Sequence, residues 1–490
     1  MQVNILWFKK DLRLYDNEAL EIAASDQIPV ILLFVIEPSL WHQDSSYRQY
    51  VFQKQALENL KSDALKLNYH INIVVNEALN IFAELNQKYQ INKIISHQET
   101  GNMATYKRDI NVKNWCKNNK VIWHEPVQNG VVRCLKDRDG WSRNWFKKMS
   151  EKQIKIPKNL QTIKFAKDII PDAKDLNIPY DNIKNAQIGG RDQAFQYLND
   201  FLYKNGENYT REMSSPVTAY TSCSRLSPYI TFGCVSIKEV FQIASLRQKE
   251  ISNLPKENQG NWPSAMRSFL GRLRWHCHFM QKLEDEPELE FNNLHPAYDA
   301  LDRDDNSKYL QAWLEGNTGF PMIDASMRAL IETGWINFRM RAMLVSFASY
   351  HLWLDWRITA KYLGKLFIDY EAGIHYSQIQ MQSGTTGINA IRIYSPTKQV
   401  IDNDPKGIFI RKYIKGLKDI SDNNIANPYN EPLLVRDYPK PIIEEKIARK
   451  HAADKIYNLR KSIGHKNIAN AIVKKHGSRK SGLRRTAKKF

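Results

Sequence analysis

The first 130 residues alternate two hydrophobic periods. VNILWF, IPVILLFVI, INIVV, KIIS and VIW are short runs rich in β-branched residues, and between them lie amphipathic stretches such as QYVFQKQALENLKSDALK. Short apolar runs of this kind read as buried strands, and apolar positions at helical spacing read as helices packed on them. Strand and helix in alternation predict a doubly wound parallel sheet covered on both faces. From about Gly130 to Gly190 the pattern weakens into KIPKNLQTIKFAKDIIPDAKDLNIPYDNIKNAQ, whose Pro, Lys, Asn and Asp content reads as an inter-domain connection. After Gly190 strand signals almost vanish. RDQAFQYLNDFLYK, PSAMRSFLGRLRWHCHFMQKLEDE, FPMIDASMRALIETGW and RAMLVSFASYHLWLDWRITAKYLGKLF are helical in period and rich in aromatics. The expected organisation is an α/β domain at 1–130, a linker at 131–190, a large all-helical domain at 191–472 and a basic tail at 473–490.

Length and composition narrow the class. A chain of 490 residues is too long for one core, and 42% hydrophobic residues suffice for packed domains. IPVILLFVI is far short of the roughly 20 apolar residues a membrane span requires. Met1 is followed by no basic region and no cleavable apolar stretch, which points to the cytoplasm. The five cysteines, Cys116, Cys134, Cys223, Cys234 and Cys277, form no C-x-x-C pair. That pattern favours free thiols and argues against zinc or an iron–sulfur cluster, so no metal is expected. No G-x-G-x-x-G follows a strand, and no P-loop motif occurs, so the sheet domain lacks the usual dinucleotide and nucleotide fingerprints.

Charge adds a partner. The chain carries a net +19, yet residues 1–130 hold 14 basic and 14 acidic residues, so the whole excess lies beyond them. The end, VKKHGSRKSGLRRTAKKF, has eight basic residues in eighteen and no acid. Such a distribution is the footprint of a polyanion, most simply nucleic acid, although a solvated tail has the same composition.

WINFRMRAM, residues 335–343, sets two arginines among apolar neighbours. Arg339 and Arg341 point roughly 200° apart on a helix, so they serve different partners. A buried guanidinium needs a carboxylate, and FIDYEAG supplies Asp369 and Glu371 about thirty residues on. On the residues alone this is equally an ordinary buried ion pair.

Seven motifs in order, WFKKDLRLYDNEAL, GGRDQAFQYLNDFL, SRLSPYITFG, LQAWLEGNTGFPMIDASMRAL, TGWINFRMR, LWLDWR and IYSPTKQ, resemble those of the DNA photolyase/cryptochrome family. The match runs from residue 3 to about residue 480. The resemblance implies FAD in the helical domain, DNA on a basic face above it, a monomer, and room for a second antenna chromophore. Carried over by position, Tyr209 and the turn Cys223, Ser224, Arg225, Leu226 and Ser227 hold the diphosphate, with Cys223 replacing the family's Thr. Arg272, Trp275 and His276 line the pocket. Arg341 and Asp369 form the family's salt bridge beside the flavin ring, with Tyr370 and Glu371 next to them. His375 falls where the family places a residue at flavin N5.

Departures from the family are as informative. Repair enzymes for cyclobutane dimers carry a Glu where this chain has Arg272, and an Asn where it has Phe338. Enzymes for (6-4) lesions put two His at positions that read Phe338 and Ala342 here. Of the family's three-tryptophan electron relay only the middle position survives, as Trp356; the others align with Ile379 and Arg303. Trp353 and Tyr376 are candidate substitutes. The folate-binding Glu of the antenna site aligns with Ala104 and Thr105. Arg272, Trp275, Phe338 and Arg339 are the expected DNA contacts. Two activities follow from the resemblance: a blue-light-driven lyase repairing pyrimidine dimers, or a cryptochrome-type photoreceptor without turnover. A flavoprotein that binds DNA structurally or does dark redox chemistry is a third.

Overall fold

In a computed structural model, which describes residues 1–41, 45–167, 169–304 and 306–478, the five apolar runs become five strands. They are β1 (Gln2–Phe8), β2 (Val30–Ile36), β3 (Ile71–Val75), β4 (Gln90–Ile95) and β5 (Ile122–His124). All pairings are parallel, in the order β3-β2-β1-β4-β5. All seven residues of β2 are buried, as a central strand covered on both faces requires. Side chains alternate between two cores. Val3, Ile5 and Trp7 of β1 join one cluster, and Leu6 and Phe8 join the other. The strand order reverses between β1 and β4, so a crevice opens at their carboxyl ends, where doubly wound sheets place ligands.

The helical region holds the long helix Trp262–Asp285, packed against Ile237–Ser252 and Ala372–Ser383. Pro321–Thr333, Phe338–Ser346 and Trp356–Leu366 complete the frame around it. The two regions share one hydrophobic cluster, running from Leu6 and Phe34 of the sheet to Leu273, Cys277 and Met280 of the long helix.

The connection is more than a tether. It contains the helix Trp141–Met149, whose Trp141, Trp145 and Met149 are buried at i, i+4 and i+8. Further on, Thr162 bridges to Val30 beside β2, and the Phe165 and Ala166 amides donate to the Asn72 side chain of β3. The lysines that suggest a linker lie outward while the tryptophans between them anchor it. At the other end of the chain, the helix His465–His476 takes in the first four residues assigned to the basic tail. Residues 479–490 lie outside the described residues. Among the described residues no helix is long and apolar enough to cross a membrane, and no group of His, Cys, Asp or Glu is arranged to hold a metal.

Candidate functional site

The helix Phe338–Ser346 follows the tight turn at Gly334, which has φ +70° and could not hold a side chain. Asn337, just before the helix, spends its amide on the carbonyls of Met213 and Ser214, tying this turn to the segment that precedes the Ser-rich turn. The first turns of the helix carry three side chains outward. Arg341 donates from Nη1 and Nη2 to the two oxygens of Asp369, both at 2.9 Å, and from Nε to the Ile336 carbonyl. This is a two-point pair, with Phe367 packed 4.2 Å from the guanidinium. Arg339 points elsewhere, toward the Tyr394 ring at 5.7 Å. Glu371 takes neither arginine. It pairs at 3.1 Å with Lys10 from the loop after β1, across the domain boundary.

Arg225 is 7% exposed, with φ +55°, and lies between the rings of Trp335 (4.0 Å) and Tyr220 (4.8 Å). Its Nη2 donates to Gln187, but its Nε has no acceptor, and among the described residues it has no carboxylate partner. Burial pushes its pKa down, which marks a cation that needs an anion. Tyr209, Cys223 and Arg272 share one neighbourhood. Burial pushes the Tyr209 hydroxyl and the Cys223 thiol each up to about 12, with Arg272 acting against the rise at both. Leu226 is buried and Ser227 exposed, and Ser224 lies partly open beside them. The His276 Nε2 is enclosed without a partner and faces a polar pocket of about 30 Å³ shared with Lys10, Glu371, Arg13 and Met280. A buried guanidinium without a carboxylate partner, an orphaned imidazole nitrogen and a fixed ion pair fit an anionic ligand with a polar ring system, as FAD is.

On the outer side, Trp275 is 46% and Phe338 44% exposed, although 63 residues separate them. Arg272 lies 5.0 Å from the first ring and 5.8 Å from the second. An arginine between two exposed aromatics is a surface on which an unstacked base can lie.

His375 sits on the helix Ala372–Ser383 with its Nε2–H donated to the Ala360 carbonyl at 2.9 Å. That nitrogen is committed, so donating a second hydrogen bond from the ring requires the imidazolium. Tyr370, Tyr376 and Trp356 continue from it. The His375 ring is 5.0 Å from Tyr370, the two tyrosine hydroxyls are 3.4 Å apart, and Tyr376 is 6.5 Å from the buried Trp356. Tyr376 thus adjoins the surviving relay position. Trp353 is placed differently: the Arg303 guanidinium lies 4.1 Å over its ring, and that positive charge opposes removal of an electron from it.

A second cavity, of about 140 Å³, lies at the carboxyl ends of β1 and β2, between the sheet and the helical region. Trp7, Trp41, Lys9, Arg108 and Tyr370 line it. Its charges are balanced internally, since Arg108 pairs with Glu37, Glu99 and Asp109, and Lys9 with Asp109. Thr105 lies on its wall, whereas Ala104 does not.

Three histidines are held neutral. Burial pushes His276 down to about 4 and His278 and His351 down to about 3, with Lys10, Lys282 and Arg449 respectively adding to the effect. Unfolded histidine titrates near 6.5, so below that pH the unfolded chain takes up protons that the fold refuses. Stability is therefore complete above about pH 6.5 and falls by about 1.4 kcal/mol per pH unit per histidine as pH drops toward 4. Thermal unfolding between pH 7 and pH 5 should show a falling Tm, and His351→Phe should flatten the slope.

A parallel-sheet domain joined to a helical domain with a buried cation-lined site defines a two-domain protein that can hold an anionic ligand. Residues 4–140 match the DNA photolyase family model, and residues 269–458 match that of the FAD binding domain of DNA photolyase. The chain belongs to the DNA photolyase/cryptochrome family, and its cofactor is FAD. It is 28% identical to the deoxyribodipyrimidine photo-lyase of Buchnera aphidicola, over 95% of this chain and 99% of that one. A bacterial class III photolyase from Agrobacterium tumefaciens superimposes with a TM-score of 0.82 at 22% identity, over 94% of this chain and 98% of that one. A Synechocystis cryptochrome does so equally, with a TM-score of 0.82 at 18% identity, over 93% and 99%.

Lys10, Trp335 and Asn337 lie within the family motifs and Gln187 within the connection, but none is singled out there as a site residue. Each acts through a partner distant in the chain: Lys10 is 361 residues from Glu371.

Proposed function

We propose that the protein is a blue-light-driven, FAD-dependent DNA photolyase that repairs UV-induced pyrimidine dimers. The observation that carries this reading is the exposed cluster of Trp275, Arg272 and Phe338, formed by two separate helices next to the candidate cofactor residues. Reduced FAD, when bound and excited by light, supplies the electron that opens the dimer. The chain's own residues bind and orient. Arg225, Tyr209 and the turn Cys223–Ser227 hold the diphosphate, and the Arg341–Asp369 pair fixes a cation and an anion beside the ring system. Trp275 and Phe338 receive a base turned out of the stack, and Arg272 and Arg339 neutralise phosphates. Trp356 and Tyr376 form the electron-supply path, and the His375 ring lies 5.3 Å from Tyr376. The crevice beside β1 is the site for a second, antenna chromophore, and the fold acts as a monomer.

A cryptochrome-type photoreceptor is the second reading. Arg272 and Phe338 favour it, because they stand where cyclobutane-dimer repair enzymes carry Glu and Asn. Binding in the dark separates the two. A photolyase binds an oligonucleotide with a single dimer at least tenfold more tightly than the undamaged strand, and Trp275→Ala weakens that binding by about 10- to 100-fold, the range expected for loss of one base–aromatic stack. Equal affinity for damaged and undamaged DNA, unmoved by Trp275→Ala, contradicts repair and supports the photoreceptor.

A further inference from the structure

Phe347–His351 winds as a single π-helical turn, a form that recurs at functional sites, and Trp353 two residues later has φ +56°. Ser349 is 0% and Tyr350 1% exposed, yet neither the Ser349 Oγ nor the Tyr350 hydroxyl has a hydrogen-bond partner. Arg303 meets them from another segment. Its Nη1 donates to the Ser349 carbonyl, its guanidinium covers Trp353, and its Nη2 is enclosed with no acceptor. Arg303 and Arg460 both act on the Tyr350 hydroxyl, and Arg460 itself donates to the Tyr298 hydroxyl and the Asn389 carbonyl. Among the described residues neither arginine pairs with a carboxylate. Asp355, the acid that acts on Arg303, is engaged by Arg357 at 2.9 Å. Around them the packing is apolar, from Leu301, Ile391, Ile393, Ala452, Ile456 and Leu459.

A guanidinium enclosed in apolar surroundings needs opposite charge, and stacking on one tryptophan offsets only part of its desolvation. Water satisfies orphaned hydroxyls but brings no charge. Three donors that lack acceptors, Arg303 Nη2, Ser349 Oγ and the Tyr350 hydroxyl, belong to one turn and the arginine that lies on it, with a positive excess. We propose that this turn holds a small inorganic monoanion of chloride size, bound by Arg303, Ser349 and Tyr350. The near-zero exposure of both hydroxyl residues shuts out large ligands. Tyr350 also packs on Ala452 and Ile456 of the helix Glu445–Arg460, so the anion fastens that helix to the turn that leads into Trp353 and Trp356. None of Arg303, Ser349 and Tyr350 is among the candidate cofactor residues.

Thermal unfolding of the FAD-loaded protein, with chloride replacing gluconate at constant ionic strength, tests this. A saturable rise in Tm of about 3 °C is expected. Arg303→Met, which removes both the cation and its need for an anion, should fold and lose the chloride dependence. Tyr350→Phe should retain it at severalfold higher chloride. Crystals grown in bromide should give an anomalous peak beside Arg303 Nη2 and Ser349 Oγ. The proposal is overturned if Tm is the same in chloride and gluconate, if the dependence persists in Arg303→Met, or if the bromide crystals show only water at that position.

Discussion

Asp369→Ala should release FAD while leaving the fold in place. The carboxylate is 3% exposed and receives both Nη groups of Arg341, so its removal strands a guanidinium that was paired at two points. Breaking such a pair costs about 3–5 kcal/mol. If the pair borders the flavin ring as proposed, most of that loss falls on the cofactor, a weakening of at least about 100-fold in affinity. Flavin content after gel filtration and the Kd from fluorescence titration are the readouts. Arg341→Lys should fall between, because a lysine keeps the charge but cannot engage both carboxylate oxygens. A purely structural pair gives a different result: Tm drops in both variants while FAD affinity stays at the wild-type value.

Arg48→Ala is expected to have the largest effect on stability. Arg48 stands in the first turn of the sheet domain's helix Tyr47–Leu65 and is 2% exposed. Its guanidinium donates to the carbonyls of Leu330, Ile331 and Leu366 at 2.9 to 3.0 Å, and to Asp181 of the connection at 2.6 Å. These carbonyls close the ends of the helices Pro321–Thr333 and Trp356–Leu366, whose last acceptors have no partner within their own helix. Gln49 does the same for the carbonyls of Gly364 and Phe367. One side chain from the sheet domain thus finishes two helices of the other. Truncation strips the Ile331 and Leu366 carbonyls of this donor, while Leu330 keeps the Gly334 amide and the 28% exposed Asp181 turns to water, at a cost of roughly 2–6 kcal/mol. Urea unfolding should change from one transition to two, with the helical region melting first. Arg48→Lys should recover only part, since an ammonium lacks the planar fork that reaches all four acceptors. A single, unshifted transition in Arg48→Ala would mean that the two regions are joined by apolar packing alone.

The architecture was largely legible because both of its periods are strong. Every β-branched run of the first 130 residues forms a strand, and the segments after Gly190 fold as helices. The pairing of Arg341 with a carboxylate of FIDYEAG was also readable, since a guanidinium in an apolar helix has few ways to persist. Choosing Asp369 over Glu371 took the family resemblance, because the residues alone leave both open. The partner that takes Glu371 is Lys10, which lies in the other domain and is brought to it only by tertiary folding. The helix Trp141–Met149 escaped notice for a local reason: its three anchors are spaced within WSRNWFKKM, where basic residues mask the period. Arg272 and Phe338 read as losses against the family pattern and as expected DNA contacts; that they meet beside Trp275 is visible only in the fold. The π-helical turn has no sequence signature, because it arises from one extra residue accommodated between well-formed helices.

Light-driven repair is tested most directly with the flavin chemically reduced beforehand, which makes the assay independent of the electron relay. Single- and double-stranded oligonucleotides carrying a cyclobutane dimer or a (6-4) product are incubated with the reduced protein under blue light and in darkness. Restored bases, quantified by chromatography, should appear for one lesion in the light only, and their rate should fall at least tenfold in Trp275→Ala. Protein that holds FAD, responds to light and leaves both lesions intact would contradict the account.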